Sequence, residues 1–167
     1  VPQGLISAFL EMAMITKRHQ IDYGTTEDQF ADVAVAFSNH AIRNPAAVMR
    51  QPMTVEDHNA SRMISDPLRL FDCNIETDGA CAMIVTTAER ARDLAQPPVL
   101  IHAGAMAAGS HHMHLSTLFS RSRDEDSAAR VGHRLFEQVG LAPSDIDAAF
   151  FYDFFTSLVI IALEDYG

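Results

Sequence analysis

Tyr152 is the residue of this chain whose side chain and position best suit proton chemistry. The apolar pattern of residues 148–152 predicts a strand, and a predicted helix at residues 155–163 follows it closely. α/β proteins usually place their sites where a strand ends and a helix begins. A phenol hydroxyl both donates and accepts hydrogen bonds, so it can hold or transfer a proton. The position alone leaves two interpretations open, a catalytic tyrosine and a tyrosine that only packs.

A second group of candidates is the histidine-rich segment formed by His111, His112, Met113 and His114. Adjacent histidines do not readily direct three imidazoles at one tetrahedral ion, and neither a carboxylate nor a cysteine stands between them. Small and polar residues surround the segment, which is typical of a loop. We therefore expect a loop there and no metal site.

Two cysteines, Cys73 and Cys81, lie on either side of a predicted turn at residues 77–79. They could approach each other across that turn. Two cysteines in an acidic chain of this kind are more often free and buried. We expect both thiols to be free.

The elements that must position these residues begin with helices. Apolar residues recur at three- or four-residue steps over residues 4–21, a capping box at Thr26 starts a second helix that ends before Pro45, and Thr54 starts a short third helix. Apolar runs predict the strands, and the run at residues 79–85 lacks alternation, as in a central strand buried on both faces. The other predicted strands are residues 68–73, 99–103 and 148–152, and the other predicted helices are residues 88–94, 124–139 and 155–163.

The last predicted helix, residues 155–163, has apolar residues on every face. A helix of this kind is buried on every face, and it is too short to cross a bilayer. A position between two sheets satisfies the pattern.

Composition excludes several classes of function. The net charge of -10 argues against general affinity for nucleic acid or anionic membranes. No apolar run is long enough to span a bilayer, and no signal peptide is visible, so we expect a cytoplasmic protein without a membrane partner.

Three blocks of the sequence resemble one family, in the order in which that family has them. They are HAIRNPAAVMRQPMTVED at residues 40–57, SRMISDPLRLFDC with ETDGACAMIVTTAERARDL between residues 61 and 94, and LAPSDIDAAFFYDFFTSL at residues 141–158. These blocks resemble the thiolases, and most of all the lipid-transfer or sterol-carrier-protein-type branch. Thr77-Asp78-Gly79-Ala80 stands where that family has an SDGA-like turn.

The resemblance implies an α/β fold with the layered αβαβα arrangement of thiolases, of which only the end of the first half-domain and the start of the second are present. Its expected parts are a helical excursion over the active site (residues 1–64), the end of the first half-domain (65–107), a loop and linking helix (108–140) and the start of the second half-domain (141–167). The family's nucleophilic cysteine would then precede Val1, and its later motifs would follow Gly167. The fragment alone is therefore expected to be inactive.

The resemblance also implies an enzyme that acts on acyl-coenzyme A thioesters, with coenzyme A entering as substrate and no permanently bound cofactor. Tyr152 stands at the first position of the family's Asn-Glu-Ala-Phe motif, which the sterol-carrier branch has as His-Asp-Cys-Phe. That residue helps hold the thioester oxygen as negative charge develops on it. The family's loops also suggest that Arg50 and the segment His112, Met113 and His114 contact the substrate.

Three functions follow from the resemblance. The first is thiolase-like Claisen chemistry by an acyltransferase, as a homodimer or higher oligomer. Tyrosine in place of asparagine favours a second, retro-aldol cleavage of a β-hydroxyacyl thioester such as a steroid side chain, together with an OB-fold partner. The third is a non-catalytic lipid-binding role.

Overall fold

The computed structural model describes residues 4–108 and 127–167. It opens with two helices, α1 (Ala8–Tyr23) and α2 (Glu27–Ile42). Gly24 separates them with a φ of 72°, and its N–H donates to the Gln20 carbonyl. Glycine adopts this left-handed conformation without a steric penalty, so Gly24 lets the chain turn between the two helices.

Capping boxes start α2 and the short helix α3 (Val55–Ala60), as the sequence predicts. The Thr26 hydroxyl accepts the Gln29 N–H while the Gln29 side chain accepts the Thr26 N–H, and Thr54 and Asp57 repeat the exchange. These bonds satisfy backbone donors that a helix leaves unpaired in its first turn.

A short antiparallel hairpin follows, made of β1 (Met63–Ser65) and β2 (Leu68–Arg69). The predicted strand at residues 68–73 is shorter than expected, because a 3₁₀ turn at Leu70–Asp72 replaces its second half. The Asp72 carboxylate accepts the Arg69 N–H at 2.7 Å and so competes with a strand partner for that donor.

The remaining helices differ in how well they are covered. The exposed helix α4 (Ala88–Arg92) is capped by the Thr87 hydroxyl, α5 (Ser127–Val139) ends at Gly140, and α6 (Thr156–Tyr166) closes the chain. A 3₁₀ turn at Pro143–Asp145 lies between the last two. The prediction that this last helix is buried on every face is not met within the described residues, because Leu163 of α6 is 53% exposed.

The predicted strands at residues 79–85, 99–103 and 148–152 are not formed as strands within the described ranges. The backbone there has no ladder partner among the described residues, and the apolar side chains of Ile84, Val99 and Phe150 are 91%, 93% and 99% exposed. A strand exists only through its neighbours, and the hairpin β1–β2 is the one sheet of the described chain. An apolar sequence pattern indicates that a segment is suited to a buried strand. It does not show whether neighbouring strands are present to pair with it.

The hydrophobic core joins the beginning of the chain to its end. Met12, Ala13 and Ile15 of α1 pack with Leu68, Phe155 and Ile161. The Thr16 and Ser157 hydroxyls, both buried, are hydrogen-bonded at 2.7 Å, and His19 Nε2 lies 3.1 Å from the Glu164 carboxylate. Helix α6 is thereby fixed along α1, which sets the position of the segment that precedes it.

Candidate active site

The candidate site lies at the start of α6, where two extended segments meet. Cys73 and Phe155 form an antiparallel β-bridge, and the Asn74 N–H donates to the Phe154 carbonyl at 3.2 Å. Phe155 is 5% exposed and belongs to the core, so the junction has a fixed base. The chain segment before α6 is thus held against the residues that follow Asp72.

Tyr152 projects from this junction with 72% of its surface exposed. The Asn74 side-chain amide donates to the Tyr152 hydroxyl at 3.4 Å. The Tyr152 ring stacks on Phe154, with centroids 5.0 Å apart and planes 16° apart, and Phe154 packs edge-on against Phe155. The phenol is therefore accessible to a ligand while its ring is held by aromatic contacts to the core.

Beneath the junction lies a buried polar cluster formed by His58, Asp72 and Thr156, which are 1%, 2% and 5% exposed. His58 Nε2 is 2.9 Å from Asp72 Oδ1, and the Thr156 hydroxyl donates to the same oxygen at 2.5 Å. The other carboxylate oxygen accepts the Arg69 N–H. Three donors around one buried carboxylate compensate the loss of water.

Both nitrogens of His58 face acceptor oxygens. The Asn59 amide nitrogen donates to Asp28 at 2.7 Å, which leaves Asn59 Oδ1 facing His58 Nδ1 at 3.0 Å, while Nε2 faces Asp72. An imidazole satisfies an acceptor at each nitrogen only when both nitrogens carry a proton. Burial works against the charge and Arg69 adds repulsion, but the hydrogen bonds from Asp72 and Asn59 and the charge of Asp72 prevail and raise the pKa of His58.

Cys73 lies next to Asp72 and is half-buried. Burial, with a further contribution from the Asp72 charge, raises the pKa of the Cys73 thiol to about 11. A thiol with that pKa is almost fully protonated at neutral pH, and the thiolate is the nucleophilic form. Cys73 is therefore a poor nucleophile at neutral pH, although it lies in the junction.

Of the other predicted site residues, Arg50 lies within the described ranges. Arg50 is exposed in the connection between α2 and α3, and within the described ranges no hydrogen bond or ion pair links it to the junction. His112, Met113 and His114 lie outside the described residues, as does His111. Both cysteines are free, and Cys81 is exposed although the sequence predicts a buried position.

Metal and membrane sites can be assessed over residues 4–108 and 127–167. No group of three or more His, Cys, Asp or Glu side chains in these ranges is arranged to hold a metal ion. No helix of the same ranges combines the length and apolar character needed to cross a membrane.

Sequence reasoning missed His58, Asp72 and Asn74. His58 is on a six-residue helix, where periodicity is not informative, and its partner Asp72 is 14 residues further along the chain. Thr156 and Tyr152 are 84 and 78 residues from their partners Asp72 and Asn74. The local signal available was Asp72 after the hairpin, a carboxylate in an otherwise apolar run.

Comparison with known proteins agrees with the resemblance seen in the sequence. A family model described as thiolase C-terminal domain-like matches residues 107–167. The steroid side-chain-cleaving aldolase of Thermomonospora curvata is 44% identical over 170 residues, covering 100% of this chain and 43% of that protein. The 17-hydroxy-3-oxo-4-pregnene-20-carboxyl-CoA lyase of Mycobacterium tuberculosis is 42% identical over 168 residues, covering 99% and 44%. Sterol carrier protein 2 of Bos taurus is 28% identical over 153 residues, covering 90% and 28%.

Among solved structures, the Ltp2-ChsH2(DUF35) aldolase matches with a TM-score of 0.91 at 43% identity, over 99% of this chain and 44% of that chain. The chain thus spans less than half the length of these relatives. The backbone agreement confirms the predicted thiolase-like α/β fold, present here in part. By sequence and by fold, the chain belongs to the thiolase superfamily, in its sterol-carrier-protein-type branch.

Proposed function

We propose that the protein carrying this chain is a retro-aldolase that cleaves a β-hydroxyacyl-coenzyme A thioester of the steroid side-chain type. Two similar proteins are named an aldolase and a coenzyme A lyase, which supports this reading over the acyltransferase expected first. The thioester enters as substrate. The protein contributes binding and proton transfer.

The observation that carries the proposal is the exposed Tyr152 hydroxyl, which the Asn74 amide holds just before the start of α6. Claisen chemistry of the thiolase type needs a thiolate nucleophile. Retro-aldol cleavage needs no sulfur nucleophile. It needs a group that moves a proton and a donor for the thioester oxygen, and a phenol can serve in either role.

The reaction begins with removal of the proton from the β-hydroxyl oxygen. The carbon–carbon bond between the α and β carbons then breaks, the β carbon becomes a ketone, and the electron pair passes to the thioester as an enolate. A proton returned to the α carbon completes a shortened acyl-coenzyme A. Tyr152 takes part in one of these proton transfers, with Asn74 fixing the direction of its hydroxyl.

Replacing Tyr152 by phenylalanine in the full-length protein tests the assignment. The ring and its stacking on Phe154 remain, while the hydroxyl is lost. We expect kcat for the coenzyme A thioester of 17-hydroxy-3-oxo-4-pregnene-20-carboxylate to fall by about 10²–10⁴-fold, with KM nearly unchanged. Ketone release measured by chromatography gives the rate.

Two control variants accompany this test. Tyr23→Phe changes a tyrosine of similar exposure, 61%, at the end of α1, and it should leave kcat unchanged. Cys73→Ser should also retain lyase activity. Full activity of Tyr152→Phe, or thiolysis of acetoacetyl-coenzyme A in place of lyase activity, would contradict the proposal and favour the thiolase reading.

A partner protein is part of the same proposal. The solved aldolase that this chain resembles is named together with a DUF35 protein, ChsH2. We expect the full-length protein to co-purify with a DUF35-type partner when the two are co-expressed, and to be more active with it. Equal activity with and without that partner would argue that the protein acts alone.

A further inference from the structure

We propose that His58 and Asp72 are positioning residues for Tyr152, acting through the hydrogen bond that the Thr156 hydroxyl donates to Asp72. The activity readout of this inference rests on the proposed function. The geometry on which it stands does not depend on the reaction.

The Tyr152 junction is attached to Asp72 from two directions. Forward along the chain, Asp72 leads into Cys73, which bridges Phe155, and Asn74, whose amide reaches the Tyr152 hydroxyl. Across space, the Asp72 carboxylate holds Thr156, the first residue of α6. A shift of this carboxylate therefore moves both the ring and the amide that orients it.

His58 contacts Asp72 as well. Its Nε2 is 2.9 Å from the Asp72 carboxylate oxygen that also accepts the Thr156 hydroxyl, and its Nδ1 faces Asn59 Oδ1. The Asn59 amide is itself held by Asp28 of α2. Two helices, α2 and α3, thus fix the position of Asp72. Within residues 4–108 and 127–167, no hydrogen bond joins either helix directly to Tyr152.

The energetics favour a role in geometry over a role in net stability. A buried ion pair seldom contributes much more stability than apolar residues of the same shape, because both charges lose their water. It does impose directions, since each donor fits a single lone pair. Misplacement of a catalytic group by about 1 Å can cost about 10²-fold in rate, so directional control at the base of the site is consequential.

His19 offers a matched comparison for a role that is only structural. It is also buried, at 6% exposure, and pairs with a carboxylate, Glu164, at 3.1 Å. Its second nitrogen is 2.8 Å from the Thr25 hydroxyl. This pair lies at the opposite end of α6 from Tyr152, so its loss weakens the fold without loosening the junction.

The kinetic test uses full-length variants with and without the Tyr152 hydroxyl. His58→Gln and Thr156→Val should each lower kcat by about 10–10²-fold while KM changes little, whereas His19→Gln and Thr156→Ser keep kcat near wild type. In a Tyr152→Phe background, His58→Gln should lower kcat no further. Equal losses for His58→Gln and His19→Gln, or multiplying losses in the double variant, would overturn the proposal.

A spectroscopic test separates this inference from the proposed function. In protein labelled with ¹³C in its tyrosine rings, the Tyr152 signal is the one that Tyr152→Phe removes. His58→Gln and Thr156→Val should shift or broaden that signal, and His19→Gln should not.

The outcomes separate the two proposals. An unmoved signal overturns the positioning role even if lyase activity exists. A moved signal in a protein without lyase activity supports the positioning role and rejects the reaction. Should His58→Gln not fold, Thr156→Val carries both tests.

Discussion

His58 is buried, and burial opposes its charged form. Its pKa is nevertheless raised, because Asp72 and Asn59 present acceptors to its two nitrogens and because Asp72 is itself negative. A buried charge with its partner removed is far more costly than the pair, by about 3–5 kcal/mol. The same residue that orients the junction therefore links the stability of the chain to pH.

The sign of that link follows from the raised pKa of His58. The folded chain holds the proton more tightly than the unfolded chain, so this stabilisation is complete below about pH 6.5 and is lost as pH rises through the higher folded pKa. Asp72, Asn59 and Arg69 are the groups that act on the ring. We expect His58→Gln to lose more unfolding free energy at about pH 6 than at about pH 9, as measured by urea denaturation.

The exposed His133 of α5 provides the control. His133→Gln should change stability little at either pH. If the two variants show the same difference between the two pH values, the buried pair does not carry the pH dependence.

At the scale of elements, α5 and α6 cross at Gly132. A Cβ atom at that position would lie 3.0 Å from the Tyr166 Cα and 3.3 Å from the Asp165 carbonyl oxygen. The absence of a side chain allows the two helices to approach this closely. The crossing also anchors the end of α6, whose start carries the candidate site.

A branched side chain at Gly132 should therefore push the helices apart. Gly132→Val is expected to reduce the free energy of unfolding by about 1–3 kcal/mol, because overpacking outweighs the small helix-propensity gain over glycine. Thermal unfolding followed by circular dichroism measures this. Glu137→Val, at an exposed position of the same helix, should cost far less. Equal stability of the Gly132 variant and wild type would show that α6 shifts without penalty.

Local sequence signals predicted the elements that depend on local bonds. The helix starts at Thr26 and Thr54 depend on bonds between residues three positions apart, and the structure has both. The strand at residues 79–85 depends on neighbours that the sequence of the segment does not contain. The site divides in the same way, since Tyr152 has a local context at a helix start, and the cluster under it exists only after distant segments pack.

At the scale of the whole molecule, the chain exposes apolar surface in several separate places. Residues 83–85 and 99–101, with Phe150, are all more than half exposed, and so is Leu163 of α6. Soluble monomers rarely expose contiguous apolar surface of large extent. More than half of the residues of the relatives have no counterpart in this chain. We expect equivalent residues of the full-length protein to cover this apolar surface.

The 167-residue chain alone should therefore bind an apolar dye or self-associate, whereas the full-length protein should not. Fluorescence of 1-anilinonaphthalene-8-sulfonate and light scattering measure the two effects. Leu163→Asp should reduce both effects in the short chain and destabilise the full-length protein. A monodisperse short chain that ignores the dye would show that α6 needs no further cover.

The hydrogen bonds between α1 and α6 can form only after the ribosome has synthesised both helices. Thr16 and Ser157 are 141 residues apart, and His19 and Glu164 are 145 apart. At about 5–20 residues per second, a ribosome needs roughly 7–30 s between making the two ends of these contacts. During that interval Met12 and Ile15 lack their core partners Phe155 and Ile161, so their side chains remain exposed. The nascent chain thus presents the apolar face of α1 to chaperones before the candidate site has been translated.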